Sequence, residues 1–267
     1  MTGPDKDVTG PNQDVTALDL VPTALDLVPT ALDLVPTAPD AVPAAPDDPD
    51  SPGPTEWPTA GPAVGVGPHP LPWPDDPRYD PDLLATGDAR NVIDRYRYWR
   101  REAIVADLDT KRHPLHVAIE NFGHDMNIGT VVRTANAFAV SAVHIVGRRR
   151  WNRRGAMVTD RYQHIEHHPD IASLLTFARG SGLIVVAVDN LPGSVPIETT
   201  ELPRNCLLLF GQESSGLTTE ARADALLTVS IAQFGSTRSI NAGVAAGIAM
   251  HTWIRQHADL HAAVRAL

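Results

Sequence analysis

The stretch 120–140, "ENFGHDMNIGTVVRTANAFAV", begins as a polar loop and ends as an amphipathic helix. Ile128, Val131, Val132 and Ala135 recur at helical spacing and mark an apolar face. Thr130, Arg133 and Thr134 lie opposite, so a lone arginine stands among small and hydroxyl residues. The helix, read over 127–139, is bracketed by "LHVAIEN" (115–121) and "AVHIVG" (142–147), both of which read as strands. From this unit the alternation runs outward. A helix at 170–182 is closed by glycine. Strands follow at 183–190 and "CLLLFG" (206–211), then a Thr-capped helix at 218–226, a strand at 227–233 and a last helix at 240–258. Strands with few charges, alternating with helices, predict an α/β fold: a parallel sheet with helices on both faces. Ligands bind such sheets at the carboxyl ends of the strands. The loops there are "NFGHDMN", "GRRRWNRRG", "GQESSG" and "QFGSTRSIN". No G-x-G-x-x-G follows the first strand, no G-x-x-x-x-G-K-[ST] occurs and no G-x-S-x-G elbow occurs. Dinucleotide, triphosphatase and α/β-hydrolase readings are therefore unsupported.

Charge divides the chain. Residues 1–82 hold 19 of the 24 prolines and 15 acidic residues against only Lys6 and Arg78, a net of −13. The remainder nets +3, so the overall −10 does not argue against nucleic acid as a partner. "TALDLVP" occurs at 16–22, 23–29 and 30–36, with a degenerate copy at 37–43. The seven-residue period is not a coiled coil, because every unit ends in proline, which costs a helix interior about 3 kcal/mol. Residues 1–82 are expected to be a disordered acidic tail, 83–112 a helical basic extension and 113–267 the main domain. Within the extension, 88–106 reads as one helix, with Val92, Tyr96, Trp99 and Ala103 as an apolar stripe and Arg90, Arg97 and Arg101 on another face. A single cysteine, Cys206, excludes an internal disulfide and a cysteine-based zinc site. No apolar run nears the roughly 20 residues that span a bilayer, and the amino terminus lacks a signal-peptide pattern. A cytoplasmic protein, free of membrane, is expected.

Three segments, "NIGTVVRTANAF" (127–138), "LLLFGQESSGL" (207–217) and "VSIAQFGSTRSINAGVAAGIA" (229–249), together resemble the three motifs of the SpoU family of RNA ribose 2′-O-methyltransferases, in the SPOUT superfamily. The likeness covers about 113–267. It implies a SPOUT-like α/β domain ending in a carboxyl-terminal trefoil knot, an S-adenosylmethionine pocket in that knot, a homodimer packed through the knot region, and RNA (tRNA or rRNA) as substrate. By position, Gly211, Ile231 and Ile240 fall where the family contacts the cofactor, and Gln233 stands where a methionine is usual. Asn127, Arg133, Glu213, Ser239 and Asn241 fall on the family's polar catalytic positions. Ala232 replaces the usual proline, and Ala139 a frequent glycine. The alternative is a non-catalytic RNA-binding or assembly protein on the same fold. The intact Arg133, Glu213, Ser239 and Asn241 favour the enzyme.

The residues also carry plainer readings. Asn127 suits a cap of the first helix, and Ser239 and Asn241 suit caps of the last. Ala242, Gly243, Ala245, Ala246, Gly247 and Ala249 give the last helix a backbone open to close approach, by a second subunit or by the chain's own elements. In "GRRRWNRRG", Arg148, Arg149, Arg150, Arg153 and Arg154 surround Trp151, a composition suited to RNA phosphates and base stacking. "HIEHH" (164–168) lacks the H-E-x-x-H order, and methyl transfer needs no metal. These histidines are expected to face solvent, and no metal is assigned.

Overall fold

The computed structural model describes residues 65–121, 127–212 and 216–261. The repeat tail, up to residue 64, lies outside them, as do the "FGHDM" part of the first ligand loop and Glu213. Seven strands form one sheet: β1 (His113–Asn121), β2 (Val140–Gly147), β3 (Ile165–His168), β4 (Ile184–Val188), β5 (Val195–Pro196), β6 (Cys206–Phe210) and β7 (Leu227–Ser230). Their order is β3-β2-β1-β6-β4-β7-β5, and every pairing is parallel. The helices of this domain are α3 (Ile128–Ala137), α4 (Ile171–Gly180), α5 (Thr219–Asp224) and α6 (Ala242–His257). Preceding the sheet are α1 (Pro81–Thr86) and α2 (Arg101–Asp109).

Alternation along the strands divides the core in two. Val117, Ile119, Val143, Ile145, Val186, Leu208 and Phe210 face one side, where Ile128, Val131, Val132 and Ala135 of α3 and Ala246, Met250 and Trp253 of α6 cover them. Ala118, Val146, Val185, Ala187, Leu207 and Leu209 face the other, under Leu174, Leu175 and Ala178 of α4 and Ala221 of α5. A sheet covered on both faces explains why its central strands read as continuous apolar runs. Trp253 is fully buried, and its indole nitrogen donates to the Pro203 carbonyl at 3.1 Å. Burial pushes the Cys206 thiol up to about 12, an inert core position. No helix among the described residues is long and apolar enough to cross a membrane.

Four differences from the sequence reading matter. The boundary at residue 82 falls inside α1, where Asp80 caps the helix and Leu84 is buried, and Val66 already bridges to Asp88. The helix expected over 88–106 is broken into a 3-10 turn (Asp94–Tyr96) and α2, with Tyr98 between them at φ 62°. Buried Asp88 causes the break: its carboxylate accepts from the Tyr98 amide at 2.8 Å and from Arg90 at 2.7 and 2.8 Å. The proposed arginine face does not form, since Arg90 pairs with Asp88 and Arg97 donates to the Arg90 carbonyl. Tyr96 and Trp99 still pack together, with Ile104 and Tyr162.

The other two concern strands. β7 ends at Ser230, so Ile231 and Gln233 leave the sheet. The short strands β3 and β5 have no counterpart in the sequence reading, and β3 takes up part of "HIEHH". His164 is exposed as expected, but His168 is buried and shares a hydrogen bond with fully buried His144 at 2.9 Å.

Candidate active site

A cavity of about 340 Å³ opens at the carboxyl ends of β4, β6 and β7. Its wall includes Asp189, Gly211, Ile231, Gln233, Ser239, Ile240 and Asn241, so every sequence-assigned cofactor residue lines one space. Each arrives there for a local reason. A side chain at Gly211 would put its Cβ 2.2 Å from the Gly216 carbonyl carbon and 2.3 Å from the Leu217 amide nitrogen, so the loop after β6 can fold back only on glycine. Gln212 and Gly216 then exchange backbone hydrogen bonds across the turn, at 3.2 and 2.9 Å. Ile231 packs its side chain against the core beneath the cavity.

Helices α3 and α6 meet at the rim. Asn127 precedes α3, but its side chain makes no capping bond there. Instead its Oδ1 accepts from Asn241 Nδ2 at 2.8 Å. Asn241 also caps α6, its Oδ1 accepting from the amides of Gly243 and Val244 at 3.0 and 3.2 Å. The capping expectation holds for Asn241 and fails for Asn127. Ser239 lines the cavity and supplies no cap to α6. Small residues of α6 are used within the chain: a Cβ on Gly243 would sit 3.1 Å from the Thr130 methyl group, and one on Gly247 3.9 Å from that of Thr134. Arg133 is exposed, and among the described residues no carboxylate pairs with it.

The arginine loop lies against the same helix. A Cβ on Gly129 would stand 2.8 Å from both the Gly155 Cα and the Ala156 nitrogen, so α3 touches the turn Arg153–Ala156 backbone to backbone. Arg148, Arg149, Arg150, Arg153 and Arg154 are all exposed. Trp151 is half-buried against the core with the Arg153 guanidinium 5.6 Å from its ring centre, so it anchors the loop more than it offers a free stacking face.

Sequence reasoning missed three residues that hold the cavity's loops. Asp189 Oδ2 accepts from the Leu217 amide at 3.2 Å, and Asn190 Nδ2 donates to the Arg238 carbonyl at 3.1 Å. Buried Glu120 accepts from the Thr218 amide at 3.1 Å and its hydroxyl at 2.7 Å. Burial pushes the Glu120 carboxyl up, and the two bonds from Thr218 pull against that shift. The available signal was a polar residue closing an apolar strand: "IEN" at 119–121 and "VDN" at 188–190.

Gln233 tests the cavity for a cofactor. Its Oε1 is buried and has no hydrogen-bond partner among the described residues. A buried unpaired carbonyl costs about 1–3 kcal/mol, which a bound donor would relieve. The loop amides beside glycine and the apolar Ile231 and Ile240 suit a flat heterocycle. The residues present fit S-adenosylmethionine.

The tRNA (guanosine(18)-2′-O)-methyltransferase of Escherichia coli K12 is 28% identical over 160 residues, covering 58% of this chain and 70% of that protein. The enzyme of the same name from Thermus thermophilus is 26% identical over 165 residues, covering 59% and 82%. The AdoMet-bound rRNA methyltransferase of Sinorhizobium meliloti superimposes with a TM-score of 0.51 at 26% identity, over 58% of this chain and 61% of that one. The TrmH/SpoU tRNA modifying enzyme of A. aeolicus gives a TM-score of 0.53 at 23% identity, over 59% and 82%, a likeness of fold. Residues 114–251, a little more than half of the chain, match the SpoU rRNA Methylase family and take in all of β1 but its first residue, α3, the cavity and the start of α6; the chain belongs to that family.

Proposed function

We propose that the chain transfers a methyl group from S-adenosylmethionine to a ribose 2′-hydroxyl of tRNA or rRNA, with Arg133 as the residue that engages the RNA at the reacting sugar. The observation that carries this reading is the bond between Asn241 and Asn127, which ties the helix of Arg133 to the rim of the cavity. Gly211, Ile231 and Ile240 would hold the cofactor mainly through backbone groups, with Gln233 Oε1 as a side-chain acceptor. The cofactor supplies an electrophilic methyl group on a sulfonium.

The protein's task is alignment and proton removal. A guanidinium keeps its proton throughout the physiological pH range, which makes it a poor base. Arg133 instead binds the phosphate beside the target ribose with its planar fork and orients the hydroxyl, which loses its proton late or to water. Asn127 and Asn241 position α3, and Ser239 faces the cavity beside them. Glu213 lies outside the described residues. Arg148, Arg149, Arg150, Arg153 and Arg154 contact the phosphate backbone further along the RNA. The chain segment after β7 threads the loop after β6 as a trefoil knot, a reading supported by the ties from Asp189 and Asn190 to both segments. A homodimer through this region is supported by Val244 and Ile248, which α6 leaves 53% and 36% exposed. A non-catalytic RNA-binding role has no feature in its favour, because every catalytic position is filled and the cavity is open.

The test is methyl transfer from labelled S-adenosylmethionine to total tRNA and rRNA from a strain lacking the protein, with products mapped by nuclease digestion. A 2′-O-methylated nucleotide is expected. Arg133→Ala should lower the rate on the order of 10²–10³-fold, and Arg133→Lys should recover only part of it, since it keeps the charge and loses the fork. No transfer to either pool, together with failure to bind the cofactor, would overturn the reading.

A further inference from the structure

Three histidines stand in line on the sheet face beneath α4, away from the cavity. His116 of β1 bonds through Nδ1 to His144 Nε2 at 2.8 Å, and His144 Nδ1 to His168 Nε2 at 2.9 Å. Phe177 of α4 packs against all three rings, with centroids 4.8–6.1 Å away. Glu166 is the register partner of His144 across β2 and β3, and its Oε2 lies 3.7 Å from His144 Nδ1. His144 is fully buried, His168 nearly so, and the Glu166 side chain is 45% exposed.

We propose that His144 Nδ1, His168 Nε2 and a Glu166 carboxylate oxygen form a site for one divalent transition-metal ion, with Zn²⁺ as the best-matched ion. The three ligand atoms already lie within 4.8 Å of one another. Two nitrogens bound to a tetrahedral Zn²⁺ at about 2.0–2.1 Å stand about 3.3 Å apart, so the two rings must separate by a few tenths of an ångström and each turn by roughly 35° to aim its lone pair at the ion. Two imidazoles and a carboxylate suit a borderline ion better than Mg²⁺ or Ca²⁺, which prefer all-oxygen shells. The fourth position opens toward solvent on the Glu166 side and would take water.

His116 completes the arrangement. A metal-bound imidazole characteristically donates its other ring N–H to a fixed acceptor. With the metal on His144 Nδ1, the proton of His144 sits on Nε2 and is donated to His116 Nδ1. In the metal-free form one proton is shared between His144 Nδ1 and His168 Nε2. Each neutral ring carries one proton before and after loading, so loading only exchanges tautomers and the rings bind the ion with no net proton released.

The site has a structural role. β2 and β3 bracket the arginine loop, and β3 is a four-residue edge strand held on one side only. A metal joining His144 to Glu166 and His168 clamps β3 to β2 and fixes both ends of that loop. Methyl transfer itself is not routed through it.

The experiment uses the full chain, stripped with chelator and dialysed, titrated with ZnCl₂ by calorimetry and with Co²⁺ by visible absorption. One equivalent of Zn²⁺ is expected, with a rise in melting temperature and the intense absorption of a four-coordinate Co²⁺ ion. Glu166→Gln, at an exposed position, and His168→Asn should each weaken binding by at least tenfold. His116→Asn, which removes only the acceptor behind His144, should weaken it by about 10–100-fold. If His168→Asn fails to fold, the Co²⁺ spectrum of Glu166→Gln still decides. Absence of stoichiometric binding to the wild-type chain, or binding unchanged in the variants, overturns the proposal and leaves the histidines as a hydrogen-bonded chain.

Discussion

Asn241 caps α6 with its oxygen and holds Asn127 with its nitrogen, and the two roles can be separated. Asn127 makes no capping bond of its own, so Asn127→Ala removes the tie alone. An exposed neutral hydrogen bond contributes about 0.5–1 kcal/mol, and that is the expected loss of stability. Asn241→Ala loses the tie and the cap, which adds about 1 kcal/mol, for a total of about 1.5–2 kcal/mol. The double variant should be no less stable than Asn241→Ala, because the tie can be lost only once. The resulting coupling of about 0.5–1 kcal/mol is measurable in urea denaturation of the four proteins. The same tie aligns the helix of Arg133 with the cavity, so Asn127→Ala should lower kcat/KM by about 2–5-fold. Purely additive stabilities, or an Asn127→Ala enzyme with unchanged kcat/KM, would refute the link between α3 and α6.

Gly129→Ala drives a methyl group into the backbone at 155–156, which cannot yield as a side chain can. It should cost about 1–3 kcal/mol and raise KM for RNA more than KM for the cofactor, as steady-state kinetics with each substrate varied would show. Gln233→Met removes the buried unpaired oxygen, so the cofactor-free protein should gain about 1 kcal/mol in thermal unfolding while its Kd for S-adenosylmethionine rises; an unchanged Kd would remove Gln233 from the cofactor contacts. Burial alone would raise the Asp88 carboxyl, but the bonds from Arg90 and the Tyr98 amide outweigh it and hold Asp88 at about 2, below its ordinary 3.8. A depressed carboxyl contributes stability that is present above the unfolded value and is lost as pH falls through the folded one. Asp88→Asn should therefore be less stable than wild type by about 1–2 kcal/mol at pH 7, and the gap should close as pH falls from about 4 to 2 in an acid unfolding series.

The main elements were legible because apolar spacing and burial coincide. Ile128, Val131, Val132 and Ala135 gave α3, and all four are buried; the runs around Val117 and Leu208 gave β1 and β6. β3 escaped because an edge strand of four residues, three of them Glu or His, has no apolar alternation to read. The spacing of Tyr96 and Trp99 fits a helix and also fits the turn that forms, and the deciding force is the Asp88 carboxylate, whose partners are remote in pattern though near in sequence. At the site, the resemblance of three segments brought Gly211, Ile231, Ile240 and Asn241 to one cavity. Glu120, Asp189 and Asn190 were invisible because each is a single polar residue whose role depends on a loop from a distant part of the chain.

The strand order also sets a timetable for synthesis. β6 belongs between β1 and β4, yet it leaves the ribosome long after β1, β2 and β3. The 85 positions from Asn121 to Cys206 take on the order of 10 s to translate. Throughout that interval the open edge of β1, with its apolar Leu115, Val117 and Ile119, waits for its central neighbour. An unpaired apolar edge is a template for pairing with other chains. The nascent chain is therefore most exposed to misassembly while it is about two-thirds made, and a holdase acting at the ribosome would matter most in that window.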